Sequence, residues 1–355
     1  MTASIFAAVE MAPRDPILGL TESFNADPRT DKVNLGVGVY LDDGGKVPLL
    51  AAVRLAEKAR LEAMPARGYQ PIDGLASYNQ IVQKLLFGED SILLEQGRVL
   101  NIEALGGTGA LKVGADYLRR LLPEATVYLS DPSWENHRAL FETAGFAVET
   151  YPYYDAATRG VDFAAMKAGL EALPAGSIVV LHACCHNPTG ADLNEGQWRE
   201  VIDVVGARGL LAFIDIAYQG FADGIGADAL AVRLFAQSGL QFLVASSFSK
   251  SFSLYGERVG ALSVVTANRD EAARVLSQIK RLVRTNYSSP PTHGGAIVMA
   301  ILANPELRQM WEGELAEMRE RIHGMRVGLV DKLQASGAGQ DFSFVVRQRG
   351  MFSYT

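Results

Sequence analysis

Cysteine is nearly absent from this sequence, and so are histidine, long apolar runs and any excess of positive charge. Each scarcity closes off a class of protein. Only two cysteines occur in 355 residues, Cys184 and Cys185, and they are adjacent. They have neither the spacing of a zinc site nor the number of a disulfide framework, so a reducing cytoplasm is the expected setting and no metal site is expected. Lysine and arginine number 33 against 40 acidic residues, a net charge of −7. Nucleic acid is therefore not an expected partner, although a local anion site stays open. No stretch has the uninterrupted apolar length of a membrane span, so no membrane association is expected. The start, "MTASIFAAVEMAPRDP", carries Glu10, Arg14 and Asp15 where a signal peptide would have a basic start and an apolar run.

What is present is alternation. From about residue 98, short apolar or β-branched runs alternate with longer amphipathic ones. The runs 98–105, 126–132, 177–185, 210–215, 241–247 and 260–267 read as strands. The stretches 109–122, 137–145, 194–209 and 269–285 read as helices. The pattern predicts an α/β protein with a mostly parallel central sheet and helices on both faces. The first fifty residues turn on Gly44-Gly45 like a small hairpin module, and the tail from about 318 reads as helix, strand, turn and strand. The two ends are expected to form a small discontinuous α/β domain, 1–48 with 318–355, beside a large domain, 49–317.

In open α/β sheets, ligands bind beyond the carboxyl ends of the strands, and here those ends are polar. After 98–105 comes "GGTGAL", which fits either a plain helix start or a phosphate cradle; it lacks the full G-x-G-x-x-G of a dinucleotide site. After 126–130 comes "DPSWENH", where Trp134 and His137 could flank a flat ligand or simply be a core indole and a satisfied imidazole. After 177–185 comes "HNPTG", an ordinary loop or a ligand loop. Asp215 ends an apolar strand, as a carboxylate held for a cation or as a helix N-cap, with Tyr218 three residues on. Lys250 lies in "SSFSKSFSLYGERVG", with Ser247 and Ser249 before it and Arg258 after it. An amine in a dry pocket beside another cation loses its charge easily and becomes a nucleophile, although a lysine in a polar loop also fits Lys250 taken alone. Together, an anion site, an aromatic face, a carboxylate, a phenol and an amine are what pyridoxal phosphate asks of a protein.

The stretch around Lys250 resembles the lysine signature of class I aminotransferases, in the fold-type I group of pyridoxal-phosphate enzymes. "DPILGL", "VNLGVGVY", "GYQPIDG", "GGTGALKVGADYL", "DPSWENH", "CCHNPTGADL", "DIAYQGF", "NYSSPP" and "RGMFSYT" follow in the family's order, so the resemblance covers essentially the whole chain. It is nearest the bacterial aspartate and aromatic (tyrosine) branch. The resemblance implies pyridoxal 5'-phosphate as cofactor, with Lys250 as its Schiff-base amine and proton carrier. It implies Asp215 at the ring nitrogen backed by His137, Trp134 stacked on the ring, and Asn187 and Tyr218 at the ring oxygen. Gly107, Thr108, Ser247 and Arg258 would hold the phosphate, with Tyr69 reaching in from a partner subunit. Arg284, also from the partner, would clamp a distal carboxylate, with Ser288 near the subunit boundary. The Gly38 backbone would lie over the substrate's α-carboxylate, where Trp134 and Asn187 also meet substrate. A homodimer with shared sites is thereby implied.

Arg284 favours aspartate and glutamate, while Ile17, Val37, Leu41 and Val47 would give an apolar wall suited to phenylalanine, tyrosine or tryptophan. The expectation is ping-pong transfer between such amino acids and a 2-oxo acid such as 2-oxoglutarate. A strict aspartate aminotransferase, a fold-type I lyase or decarboxylase, and an impaired truncated form are the alternatives. The family pattern continues past "RGMFSYT" through the arginine that grips the α-carboxylate, so a shortened small domain is expected here.

Overall fold

A computed structural model describes residues 4–12, 18–34, 38–337 and 339–351. The chain divides into two compact units, Met1–Tyr40 and Leu41–Thr355. In the first unit the described residues hold one helix, Leu18–Ala26.

Among its described residues the second unit holds nine strands: β1 Val99–Leu105, β2 Thr126–Asp131, β3 Ala147–Pro152, β4 Tyr154–Asp155, β5 Gly160–Val161, β6 Ile178–His182, β7 Leu211–Ile216, β8 Phe242–Ser247 and β9 Val259–Val265. Seven of them form one sheet in the order β1-β9-β8-β7-β6-β2-β3, and β4 and β5 form a small hairpin. β9 runs antiparallel to both its neighbours, whereas the β3-β2-β6-β7-β8 pairings are parallel. β1 therefore points the same way as β8, and the carboxyl ends of β1, β8, β7, β6 and β2 share one edge of the sheet.

The central strands are apolar on both sides because both sides are covered. Ile102, Val127, Val180, Phe213, Leu243 and Leu262 pack on one face against Leu111, Leu118, Phe141 and Ile279 from helices. On the other, Phe242 meets Phe235 and Phe87 at ring-centroid distances of 5.3 and 6.3 Å. Helix boundaries follow local chemistry. The helix Glu195–Arg208 opens on a capping box: Asn194 Oδ1 accepts from Gln197 N at 3.0 Å, and Gln197 Oε1 accepts from Asn194 N at 2.9 Å. It stops at Gly209 in the left-handed conformation.

Two expectations are corrected. The stretch expected as the first C-terminal strand is instead a short helix, Phe344–Arg347, and the second mostly falls on 352–355, outside the described residues. Around Gly44-Gly45 the described residues form a turn, closed by Asp42 N–H to Lys46 O at 2.8 Å, with no strand on either side. The apolar alternation there extends into 35–37, which lie outside the described residues. A continuous helix, Pro305–Ala335, spans position 318.

The described C-terminal segment is pinned to the sheet's ligand edge. Buried Arg326 donates to Gly350 O at 2.7 Å and to Gln348 O. Gln348 Nε2 donates to Thr189 O at 3.0 Å, and Arg349 N to Gly190 O at 2.8 Å. Gly350 passes so close to Cys185 that a Cβ there would fall 2.5 Å from the Cys185 Cβ, at a φ of +72°. Among the described residues no helix is long and apolar enough to cross a membrane, and no cluster of three or more His, Cys, Asp or Glu could hold a metal ion.

Candidate active site

The shared strand edge gathers most of the residues singled out above. β7 ends in Asp215, which is 8% exposed. Its Oδ2 accepts from His137 Nε2 at 2.9 Å, because His137 opens a helix after β2, two strands away. The line continues behind it: His137 Nδ1 meets Ser133 Oγ at 3.0 Å, and Ser133 Oγ meets His182 Nε2 at 3.2 Å. The Asn187 backbone N–H donates to His182 Nδ1 at 3.3 Å. Burial and the His137 charge push His182 down to about 3, so it is neutral across the physiological range. Burial pushes the Asp215 carboxyl up, but the His137 hydrogen bond, helped by the His137 and Lys250 charges, outweighs it and holds the group below the usual carboxylate range.

Asp215 Oδ1 is the informative atom. It is buried and has no hydrogen-bond partner among the described residues. A buried carboxylate oxygen left unpaired costs free energy, so this oxygen stands ready for a donor.

Lys250 follows β8. Its Nζ lies 4.9 Å from the centroid of the Tyr218 ring, and Tyr218 is itself buried. Burial holds the Lys250 amine below its ordinary value; Arg258 adds to the effect and Asp215 opposes it. Burial pushes the Tyr218 phenol up, so it stays protonated. Trp134 meets His137 edge to face at 5.1 Å.

The anion cradle lies where β1 and β8 end on either side of β9. Gly106 and Gly107 open the helix Gly106–Leu121, with Thr108 half-buried behind them. A Cβ on Gly106, whose φ is +70°, would come within 2.6 Å of Arg258 Nη2, and one on Gly107 within 3.0 Å of Ser247 Cβ. Only glycine leaves that space. Ser247 Oγ donates to Ser249 Oγ at 3.2 Å, and Arg258 Nη1 reaches Ser249 Oγ at 3.4 Å. Hydroxyls, a guanidinium and a helix N-terminus are the donors a phosphate takes.

The residues present fit pyridoxal phosphate on two observations: the unpaired Asp215 oxygen, which a protonated ring nitrogen would satisfy, and a glycine-lined gap ringed by phosphate donors.

The structure does not bring every expected residue to this cluster. Tyr69 is 98% exposed. Arg284 is exposed on the helix Arg269–Asn286 and donates to Ser288 Oγ. Neither bonds to the Lys250 cluster among the described residues. Gly38 belongs to the unit Met1–Tyr40 and is half-buried. Of the expected apolar wall, Leu41 and Val47 are 41% and 44% exposed, and Ile17 and Val37 lie outside the described residues. Sequence reasoning missed Ser133 and His182 as links in the chain behind Asp215. Their signal was the polar ends of β2 and β6, but only the sheet order makes those ends neighbours.

The sequence model of the family described as aminotransferase class I and II matches residues 30–355. An aspartate aminotransferase of Pseudomonas aeruginosa is 67% identical over 352 residues, covering 99% of this chain and 88% of that one. An aromatic-amino-acid aminotransferase of Escherichia coli is 53% identical over 353 residues, covering 99% and 89%. Among solved structures, an aromatic-amino-acid aminotransferase from Burkholderia pseudomallei, covalently bound to pyridoxal phosphate, superposes with a TM-score of 0.97 at 67% identity, covering 99% and 88%. On this match, which takes in the lysine, the carboxylate and the glycine cradle alike, the chain belongs to the class I and II aminotransferases, in the branch that holds the aspartate and aromatic-amino-acid enzymes.

Proposed function

We propose that this aminotransferase moves the amino group of aromatic and dicarboxylic L-amino acids (phenylalanine, tyrosine, tryptophan, aspartate, glutamate) to 2-oxo acids such as 2-oxoglutarate, using pyridoxal 5'-phosphate. The observation that carries the chemistry is the unpaired Asp215 Oδ1 on the same strand edge as an amine held below its ordinary pKa. When bound, the cofactor supplies an aldehyde that condenses with amines and a protonated ring that draws electrons away from the substrate Cα.

The chain's own residues do the rest. Asp215, kept ionised by His137, holds a proton at the ring nitrogen. Arg258, Ser247 and the N–H groups of Gly107 and Thr108 anchor the phosphate. Trp134 would cover one face of the ring, and Asn187 and Tyr218 would hydrogen-bond its oxygen. Lys250 would hold the cofactor's aldehyde and, as a free neutral amine, would take the proton from the substrate Cα as general base and return it as general acid. Burial serves the lysine directly, since a neutral amine is the form that can accept a proton.

Tyr69 and Arg284 are read as reaching into the site of a second copy, which makes the working form a homodimer; their exposure supports this. Gly38 is read as lying over the α-carboxylate. Residues 49–317 are read as the cofactor domain, with 1–48 and 318–355 as a smaller one. The buried free thiols support a cytoplasmic location. Breadth of substrate rests on relatives of both kinds and on Arg284.

Steady-state assays of holoenzyme with aspartate, phenylalanine and tyrosine against 2-oxoglutarate test the reading. Turnover of all three with ping-pong kinetics is expected. Turnover of aspartate alone would leave a strict aspartate aminotransferase. Arg284→Ala is expected to raise KM for aspartate by about tenfold or more, through loss of a charge-assisted pair, while the constants for phenylalanine move less than about threefold.

A further inference from the structure

Glu103 is a buried carboxylate that the chemistry above does not use. It stands on β1, three residues before Gly106, and is 2% exposed. Alternation along the strand turns Glu103 and Asn101 away from the core face that holds Leu100, Ile102 and Ala104. Two other segments run directly over the carboxyl. A Cβ on Gly74 would lie 2.7 Å from Glu103 Oε2, and a Cβ on Gly295 2.0 Å from Glu103 Oε1. The same two segments touch where Gln70 Nε2 donates to Pro291 O at 3.2 Å. Three buried polar atoms in this seam lack a partner among the described residues: Glu103 Oε2, Gln70 Oε1 and Tyr287 Oη. A proton on the Glu103 carboxyl adds a donor to a seam that otherwise holds two unpaired acceptors and a single unpaired hydroxyl.

We propose that Glu103 is a positioning residue: its carboxyl, carrying a proton, seats the Gln70–Leu75 loop and the Tyr287–Gly295 turn, and its ionisation loosens both. The loop begins beside Tyr69, and the turn follows Arg284. Given the reading in which those two residues serve a partner's site, the effect falls on capture of a dicarboxylic substrate and not on proton transfer at Lys250.

Burial pushes Glu103 up to about 7, against a smaller opposing pull from the Leu75 N–H. Of the other titratable groups around it, all but Tyr287 have a partner among the described residues. Tyr78, from the helix Ala76–Phe87, donates to Gly260 O at 2.8 Å and is pushed up by burial and by Glu103. Tyr287 is pushed up by the same two causes. Asp73 pairs with Lys280 at 3.0 Å, and His293, on the helix carrying Gly295, with Glu57 at 3.4 Å. Because the folded value lies above that of the unfolded chain, the folded form keeps a proton that the unfolded form has released. The seat is therefore held below about pH 7 and lost as pH rises through it.

The test compares wild-type holoenzyme with Glu103→Gln, which is isosteric and permanently neutral. Between pH 6 and 8.5, the wild-type KM for aspartate is expected to rise by roughly fivefold with little change in kcat or in the KM for phenylalanine, while Glu103→Gln stays flat. Amide hydrogen exchange, normalised for intrinsic rates, is expected to show protection of 68–75 and 287–295 falling with pH in the wild type and not in the variant. Identical pH profiles for the two proteins overturn the proposal. So does wild-type protection that does not change with pH, which decides the matter even if the variant fails to fold. An enzyme with no activity on any amino acid would sink the proposed function, yet the exchange measurement would still decide the role of Glu103.

Discussion

Replacing Lys250 with alanine is expected to lower kcat by at least about 10⁴-fold and to abolish the visible absorbance of cofactor attached to the chain. General acid–base catalysis alone is worth roughly 10²–10⁴-fold, and the covalent anchor is lost with it. Lys250→Arg should fare no better. A guanidinium remains charged at any working pH and cannot serve as the neutral base. The alanine change should not weaken the apoprotein fold, because the surroundings disfavour the charged amine and alanine removes it, whereas arginine keeps a permanent charge in that pocket and should cost stability. Calorimetry should find the alanine variant's melting temperature equal to or above that of the wild type. Residual turnover above about 1% of wild type would remove Lys250 from the proton-transfer step. The pH dependence follows from the same amine. Because its pKa is lowered and the neutral form is active, the acid limb of the profile should rise with pH and flatten below the usual lysine range.

Asp215→Asn is the second large effect: kcat should fall by about 10³-fold, or ~4 kcal/mol of barrier. A carboxylate holds a proton on a ring nitrogen by charge and by accepting its hydrogen bond. An amide oxygen offers the second alone. Asp215 is held below the usual carboxylate range, so it stays ionised through the neutral region and should not set either limb of the wild-type pH profile. The apoprotein should lose some stability at neutral pH, because a carboxyl held below its usual range is favoured in its ionised form by the fold, and the amide gives up the charge-assisted bond from His137. Loss of activity, weaker cofactor retention by equilibrium dialysis and an apoprotein melt at or slightly below that of the wild type form the expected set. Wild-type kcat in the variant would show that the carboxylate is dispensable.

Sequence and structure agree where the signal is local and diverge where it is not. β6, β7 and β8 were legible because strands buried on both faces read as unbroken apolar runs. The helix Arg269–Asn286 was legible from its amphipathic period and from Asn268, whose side chain accepts from Glu271 N at 2.9 Å. Lys250 and Asp215 were legible as polar residues at strand ends, and the glycines as a helix start where a strand ends. Phe344–Arg347 was not, since four apolar and polar residues in a row fit a short strand as well as one helical turn; the fold decides through contacts such as buried Val345 and Phe344 against Val330. The chain from Asp215 through His137 and Ser133 to His182 was half legible. Each residue is visible in the sequence, but their adjacency comes from the pairing of β2 with β6. Glu103 was invisible, because a charged residue inside a strand reads as a solvent-facing position until a second layer is known to cover it.

The strap that Arg326 holds over the strand ends also gives the molecule an internal reporter. Cys184 and Cys185 are the only thiols in the sequence, both are buried, and Gly350 lies against the second of them. Burial raises the Cys185 thiol above its ordinary value, and a hydrogen bond donated to its neighbour together with burial does the same for Cys184. Neither thiolate nor access is on offer while the strap is closed. The rate at which an alkylating reagent labels Cys185 in the native protein should therefore report excursions of this segment, without any engineered probe. Because Arg349 is tied to Gly190, three residues from Asn187, those excursions and the loosening of the cofactor loop should keep the same clock.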